Sequence, residues 1–247
     1  MIENVKIQNT YCRIYKPETK PEQVLIMVHG FAGDKDSSVI CAIGEELSKN
    51  GIQVVSFDLP CHGEDVKNEY LSATGCMLAL TDVVNYVEEE FDSLKVSFFA
   101  TSFGAYLLLH FLSINRDKYN KIILRAPAIK MAKILEEVIL PEHGFTVNDL
   151  KKGINLGYEN PLLVNSAFLK ELKDNDLFKM FGDKLNHFHV MQGLKDDVVD
   201  VRDVLDFLKK YLPERCDFYP FENADHRFKK PGELEQIIKI TKDIMIG

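Results

Sequence analysis

Val96-Ser97-Phe98-Phe99-Ala100-Thr101-Ser102-Phe103-Gly104-Ala105-Tyr106-Leu107-Leu108-Leu109 passes from an apolar stretch of strand character into an apolar stretch of helix character, with one serine at the junction. A serine hydroxyl is a poor nucleophile at neutral pH. It becomes a useful one when a sharp strand-to-helix turn lifts it clear of a sheet, beside an imidazole that takes its proton and backbone amides that hold an oxyanion. Such a turn strains the serine's backbone and crowds the positions two before and two after it, so both require small residues. Ala100 and Gly104 stand there. The run departs from G-x-S-x-G only in its first glycine, and the extra methyl group fits if the turn opens slightly.

The surrounding sequence supplies partners for this serine. Upstream, Val24-Leu25-Ile26-Met27-Val28 is a continuous apolar run of strand length, as expected for a strand covered on both faces, and it leads into His29-Gly30-Phe31-Ala32-Gly33. Downstream, Phe188-His189-Val190-Met191-Gln192 reads as a strand followed by Gly193-Leu194-Lys195-Asp196-Asp197-Val198-Val199, a turn with two adjacent carboxylates. A carboxylate here would receive an imidazole N–H, fix the tautomer and stabilise the imidazolium. Spacing from Gly193 favours Asp196, with Asp197 and then Asp200 as alternatives. Arg215 to Pro220 alternates like a late strand, and Glu222-Asn223-Ala224-Asp225-His226-Arg227-Phe228 puts His226, the expected general base, on the loop after it.

Six other histidines have to be placed. His29 is read as a brace for its loop, His62 as part of the turn after a strand, His110 as a satisfied core residue and His143 as a surface loop residue. His187 and His189 share one face of a strand, two apart, but no third ligand with suitable spacing accompanies them. No metal and no cofactor is therefore expected.

The chain resembles the α/β-hydrolase superfamily over nearly its whole length. Within it, the resemblance is to small carboxylesterases related to the cinnamoyl and feruloyl esterases and to the monoglyceride-lipase or serine-aminopeptidase-like hydrolases. Five blocks in the family's order carry it: His29-Gly30-Phe31, Asp58-Leu59-Pro60-Cys61-His62-Gly63-Glu64, Thr101-Ser102-Phe103-Gly104, Gly193 to Val199, and Ala224-Asp225-His226. Ala100 and Cys61 depart from it, each standing where the family usually has glycine. The resemblance implies a Ser102–His226–Asp196 triad, an oxyanion hole made by the backbone N–H groups of Phe31 and Phe103, and cleavage of carboxylic esters through an acyl-enzyme. The same triad serves thioesterases and peptidases. A peptidase acting at free N-termini would want acidic cap residues, for which Glu136, Glu137 and Glu142 are available, and a non-catalytic ligand-binding homologue is the reading outside enzymes.

The fold class expected is α/β, with a mostly parallel central sheet flanked by helices on both faces. After an N-terminal strand or hairpin before Pro21, strands are read near residues 24–28, 52–57, 95–99, 121–125, 187–192 and 215–220. Helical stretches are read at Ser38 to Lys49, Ala73 to Glu90, Val201 to Tyr211 and Glu233 to Ile246. The interval 130–184 is too long for a single crossover. It reads as a helical segment (Met131 to Leu140), a Pro-Glu-His-Gly turn, a glycine-bearing stretch (Gly153 to Tyr158) and a second helical segment (Ser166 to Leu172). The resemblance implies a cap over the site, in which Ile154, Leu156, Leu162, Leu163 and Phe168 either line an acyl or aryl pocket or pack the cap onto the core.

Bulk properties set limits. At 247 residues the expectation is one domain, 1–247, including the cap. A net charge of −8 with no long basic run argues against nucleic acid as a partner. The N-terminus lacks the apolar core of a signal peptide and no apolar run approaches membrane-spanning length, so a cytoplasmic location is expected. Five cysteines without a C-x-x-C pair fit reduced thiols. The expected partner is a small-molecule ester substrate, and a homodimer is the one assembly kept open.

Overall fold

The computed structural model describes residues 1–247 apart from 68, 93, 116, 117, 159, 181–186, 212 and 213. The chain opens with a hairpin of β1 (Ile2–Ile7) and β2 (Thr10–Tyr15), then alternates β3 (Gln23–Val28), α1 (Ser38–Lys49), β4 (Gln53–Phe57), α2 (Ala73–Glu90), β5 (Lys95–Thr101), α3 (Phe103–Ile114) and β6 (Ile122–Arg125). After the long interval come β9 (Phe188–Gly193), α8 (Val201–Tyr211), β10 (Cys216–Phe221) and α9 (Glu233–Ile246). The eight long strands form one sheet in the order β1-β2-β4-β3-β5-β6-β9-β10. It is parallel from β4 to β10, with β2 antiparallel to both its neighbours.

The unbroken apolar run of β3 follows from its central place. Val24, Ile26 and Val28 face a core built with α2, α3 and α8, while Leu25 and Met27 face a second core with Ile40, Ile43 and Leu47 of α1 and Ile237, Ile244 and Met245 of α9. A strand buried on both faces has no need of polar alternation.

The connections set the place of the site. From β3 the chain crosses through α1 to β4 on one side, then through α2 to β5 on the other. The strand order therefore reverses at β3, leaving a crevice at the carboxyl ends of β3 and β5, where an open α/β sheet binds ligands. Val28 and Ala100 are register partners in adjacent strands, so His29-Gly30-Phe31 and Thr101-Ser102-Phe103 leave the sheet side by side.

Between β6 and β9 the elements are short. α4 (Met131–Ile134) and α5 (Leu140–Glu142) flank a π turn over Leu135–Ile139, so the expected helical segment is present but widened in the middle. Pro141 lacks the N–H that would donate four residues back, and its ring crowds the carbonyl there, a cause for the i+5 spacing just before it. The glycine-bearing stretch holds an antiparallel ribbon the sequence did not announce, β7 (Ile154–Asn155) with β8 (Leu163–Val164). It is followed by α6 (Ser166–Asp174) and α7 (Leu177–Met180). The end of the interval at 181–184 lies outside the described residues. No helix among the described residues is long and apolar enough to cross a membrane.

Candidate active site

Ser102 stands between β5 and α3 with φ 51° and ψ −115°. This is the left-handed region that non-glycine residues rarely adopt, at a cost on the order of 1–3 kcal/mol. Its neighbours over-determine the turn. The Ser102 N–H donates to the Arg125 carbonyl at 3.0 Å, and its own carbonyl accepts from Tyr106 at 3.1 Å and Ala128 at 3.2 Å. Ala100 is fully buried and keeps φ negative, so the methyl replacing the first elbow glycine is absorbed within the strand. Gly104 is different: a Cβ there would lie 2.3 Å from the His29 carbonyl oxygen and 2.6 Å from that of Val28. Only glycine lets α3 approach the end of β3 so closely.

The strained residues share a location. Among the described residues the non-glycine positions with positive φ are Gln8, Ala32, Cys61, Ser102, Ala126 and Phe228. Apart from Gln8, in the β1–β2 turn, each lies just beyond the carboxyl end of a parallel strand. Strain of this kind clusters where function requires a particular backbone. It also accounts for Cys61 as a departure: the position needs left-handed geometry, which glycine supplies freely. Cys61 holds it with its N–H on Asp65 Oδ2 at 3.1 Å. The thiol is buried and its pKa is pushed up, first by burial and then by Asp65, so it is a packed thiol rather than a reactive one.

The sequence-selected serine, histidine and acid come together. His226 Nε2 is 3.1 Å from Ser102 Oγ, and Nδ1 is 3.0 and 3.1 Å from the two carboxylate oxygens of Asp196. Asp197 instead accepts the His226 backbone N–H at 3.4 Å, and Asp200 pairs with Arg202 at 2.7 Å, which separates the three acids. Asp196 is further held by the Val198 and Val199 amides at 2.9 and 2.7 Å and by the Gln192 side-chain amide at 3.0 Å. Burial would push this carboxyl up, but the His226 ring and those two backbone N–H groups outweigh it and hold it below its ordinary value. Asp196 is thus an anion facing an imidazole, the arrangement that fixes a ring with its proton on Nδ1 and its lone pair on Nε2, toward Ser102.

Two supporting residues escaped the sequence reading. Arg125 is buried, donates to the Arg227 carbonyl at 2.9 Å and lies 4.6 Å from the Phe228 ring centroid, bracing the His226 loop from behind. Burial pushes its pKa down to about 10. Gln192 holds Asp196 as described. Arg125 ends the otherwise apolar β6 and Gln192 stands one residue before the end of β9, and a polar residue at the carboxyl end of a buried strand was the available signal.

Phe31 and Phe103 flank Ser102. The Phe103 N–H is the first of α3, among the amides a helix leaves without an internal acceptor. The Phe31 N–H donates to no acceptor among the described residues. Their rings meet edge to face at 5.9 Å, and Phe168 of α6 contacts both, at 6.1 and 6.3 Å. Phe31 also meets Tyr158 at 6.2 Å, and Tyr158 meets His143 at 4.7 Å. His143, expected on the surface, is half-buried in this cluster. Leu156 and Leu162 are buried in the main core.

The loops behind Phe31 are built from buried polar groups. His29 Nε2 accepts the Leu59 N–H at 2.9 Å, so its proton sits on Nδ1 and is donated to the Gly30 carbonyl at 2.8 Å, the bracing role expected of it. Burial pushes its pKa down to about 4. His62, its ring tilted against that of His29 with centroids 5.2 Å apart, is pushed down to about 3 by burial and then by His29. Lys35 is almost wholly buried against Asp58, Asp36 and Glu64. Burial would lower its pKa, but these carboxylates outweigh it and raise it. The Asp58 carboxylate also accepts the Lys35 and Glu64 amides and fills the space over Gly63, where a Cβ would meet it at 2.2 Å.

His187 and His189 lie far from this edge, at the amino-terminal end of β9. The sequence offered them no third ligand, but the parallel pairing of β9 with β10 places Asp217 opposite His189. The missing partner came from a neighbouring strand, where spacing along one chain segment cannot find it.

Comparison with known proteins agrees with this architecture. A family model described as Serine aminopeptidase, S33 matches residues 19–160, more than half of the chain. Est1E from Butyrivibrio proteoclasticus, solved with ferulic acid bound, is similar with a TM-score of 0.79 at 18% identity, over 99% of this chain and 98% of that one. A soluble variant of monoglyceride lipase from Saccharomyces cerevisiae, in complex with a substrate analog, is similar with a TM-score of 0.75 at 13% identity, over 98% and 93%. Alpha/beta hydrolase domain-containing protein 10 from mouse gives 0.75 at 16%, over 99% and 98%. No curated protein sequence matches the chain. With its mostly parallel sheet and the ordered blocks on one edge, the chain belongs to the Serine aminopeptidase, S33 family of α/β-hydrolases.

Proposed function

We propose that this hydrolase cleaves carboxylic esters by two-step acyl transfer at Ser102. The observation that carries the reading is the continuous Ser102–His226–Asp196 relay, with contacts of 3.1 and 3.0 Å. As Ser102 Oγ attacks the carbonyl carbon, His226 Nε2 takes the hydroxyl proton and the Asp196 carboxylate stabilises the imidazolium. The Phe31 and Phe103 N–H groups receive the developing oxyanion. Collapse expels the alcohol, which takes the proton from His226, and water activated by the same ring releases the acid.

Segment 130–184 serves as the cap in this reading, and within it Tyr158 and Phe168 meet Phe31 at the serine's side. An aromatic wall favours an apolar acyl or aryl group, and the ferulic acid bound to the similar Est1E is of that class. Aminopeptidase action is less well supported. Glu136 is already paired with Lys173 at 2.7 Å, and Glu137 and Glu142 are exposed. The test is hydrolysis of p-nitrophenyl esters from acetate to decanoate, methyl ferulate, a short acyl-CoA and an aminoacyl p-nitroanilide, by wild type and Ser102→Ala. Serine-dependent ester turnover with an acyl optimum supports the reading. Turnover confined to the anilide or the thioester would replace it.

A further inference from the structure

We propose that His187, His189 and Asp217 form a binding site for a divalent metal ion of the zinc, nickel and copper class, clasping the edge strand β10 to β9 at the end of the sheet remote from Ser102. His187 Nε2 lies 2.9 Å from Asp217 Oδ2, and His189 Nδ1 lies 3.2 Å from the same oxygen. One ligand atom from each of the three residues falls within 4.8 Å of the other two. In a tetrahedral zinc site with bonds of about 2.0–2.2 Å, neighbouring ligand atoms stand roughly 3.3 Å apart. Asp217 Oδ2 therefore already stands at about shell separation from both rings, and a metal enters by small side-chain movements that draw the three donors, within 4.8 Å of one another, around it.

The donor set selects the class of ion. Two imidazoles and one carboxylate suit zinc, nickel and copper, whereas calcium and magnesium take oxygen shells. The backbone supplies rigidity: His189 lies in β9 with His187 one residue before that strand begins, and Asp217 is the register partner of His189. The shell is open on one side, since the His187 and Asp217 side chains are 48% and 53% exposed against 11% for His189, so water completes the coordination. The Tyr219 hydroxyl, 3.4 Å from the same His189 Nδ1, gives up that nitrogen when a metal binds it. Lys121 bears on both His189 and Asp217 and is the charge a cation must contend with.

The position indicates a structural role. Four residues of strand, about 13 Å, separate His189 from Gly193, where the chain leaves β9 for Asp196. β10 is an edge strand, paired on one side only, and its far end leads to His226. A metal here ties together the two strands that carry the acid and the base without touching either.

The experiment titrates chelator-stripped, tag-free protein with zinc by calorimetry, and with cobalt by absorption, alongside His187→Gln and Asp217→Asn. Both positions are exposed, so the variants are expected to fold. One equivalent of zinc, a higher melting temperature on binding, and visible cobalt bands of a four- or five-coordinate site are expected. Each variant should bind at least about tenfold more weakly. Esterase turnover with and without zinc should agree within a factor of about two. No zinc uptake at about 1 mM, or uptake unchanged in both variants, would overturn the proposal.

Discussion

The loops leaving the carboxyl ends of the parallel strands and the interval between β6 and β9 meet at Phe31, yet they are held in different ways. The strand-end loops are short and strained, and they are fixed by main-chain contacts and buried polar groups: Ser102 on Arg125, His29 on Leu59, Asp58 on Lys35, Gln192 on Asp196. The interval is long and built of short elements. Apart from a main-chain bond, the Leu71 N–H on the Leu163 carbonyl at 2.8 Å, it is tied down largely by side chains. Glu171 of α6 accepts the Ala73 and Thr74 amides at the start of α2 at 2.6 and 3.2 Å, and Lys130 and Lys133 meet Asp203 at 2.7 and 3.1 Å. One region is built to hold a few atoms in place, while the other can vary its lining and keep its attachments.

On that contrast, changes at the strand ends are expected to strike chemistry or folding, and changes in the 130–184 interval to strike substrate handling. The largest effect belongs to Ser102→Ala, expected to lower kcat roughly a millionfold with the fold intact. Steady-state turnover measured alongside circular dichroism checks this, and retained activity in the purified variant would break it. Next is Gly104→Ala, whose Cβ has no room beside the His29 carbonyl. A loss of about 3 kcal/mol or more in urea unfolding is expected, and a stability near wild type would mean that α3 is free to shift.

A comparable term depends on pH. His29 and His62 fold as neutral rings with pKa values pushed down to about 4 and about 3, against an ordinary value of about 6.5. Below that value the unfolded chain binds protons the folded one refuses. Their stabilisation is therefore complete above about pH 6.5 and drains away as pH falls toward 4, by about 3 kcal/mol for His29 alone. Urea midpoints at pH 7 and pH 5 should differ accordingly, with a shallower dependence in His62→Gln. Equal midpoints in the wild type would contradict the buried-neutral assignment. The smallest effect is Glu171→Gln, which weakens the clamp on the α2 N-terminus. A loss of about 1–2 kcal/mol is expected, with KM rising more than kcat falls, and the reverse split would place Glu171 with the chemistry instead.

Legibility in the sequence followed the same division. The helices at Ser38–Lys49, Ala73–Glu90, Val201–Tyr211 and Glu233–Ile246 could be read because each carries an apolar stripe long enough to show its period. Ser102, Asp196 and His226 could be located because each follows a strand that announces itself. Arg125 was missed because its role depends on which segments lie side by side, and Asp217 as a partner of His189 for the same reason, whereas Gln192 reaches Asp196 only four residues on and was missed because the shape of that turn does not show in its spacing. The π turn, the β7–β8 ribbon and the placing of His143 against Tyr158 arise from contacts within the interval between β6 and β9, in elements of two to five residues where no period can develop.

The central claim is that the strand-end loops activate Ser102. Reaction with a fluorophosphonate, followed by intact-mass and peptide mass spectrometry, addresses it directly, because only a serine whose proton has somewhere to go reacts at neutral pH. The account predicts one adduct per chain, on Ser102, absent in Ser102→Ala and strongly slowed in His226→Ala. An unlabelled wild-type chain, or an adduct that persists in Ser102→Ala, would contradict it.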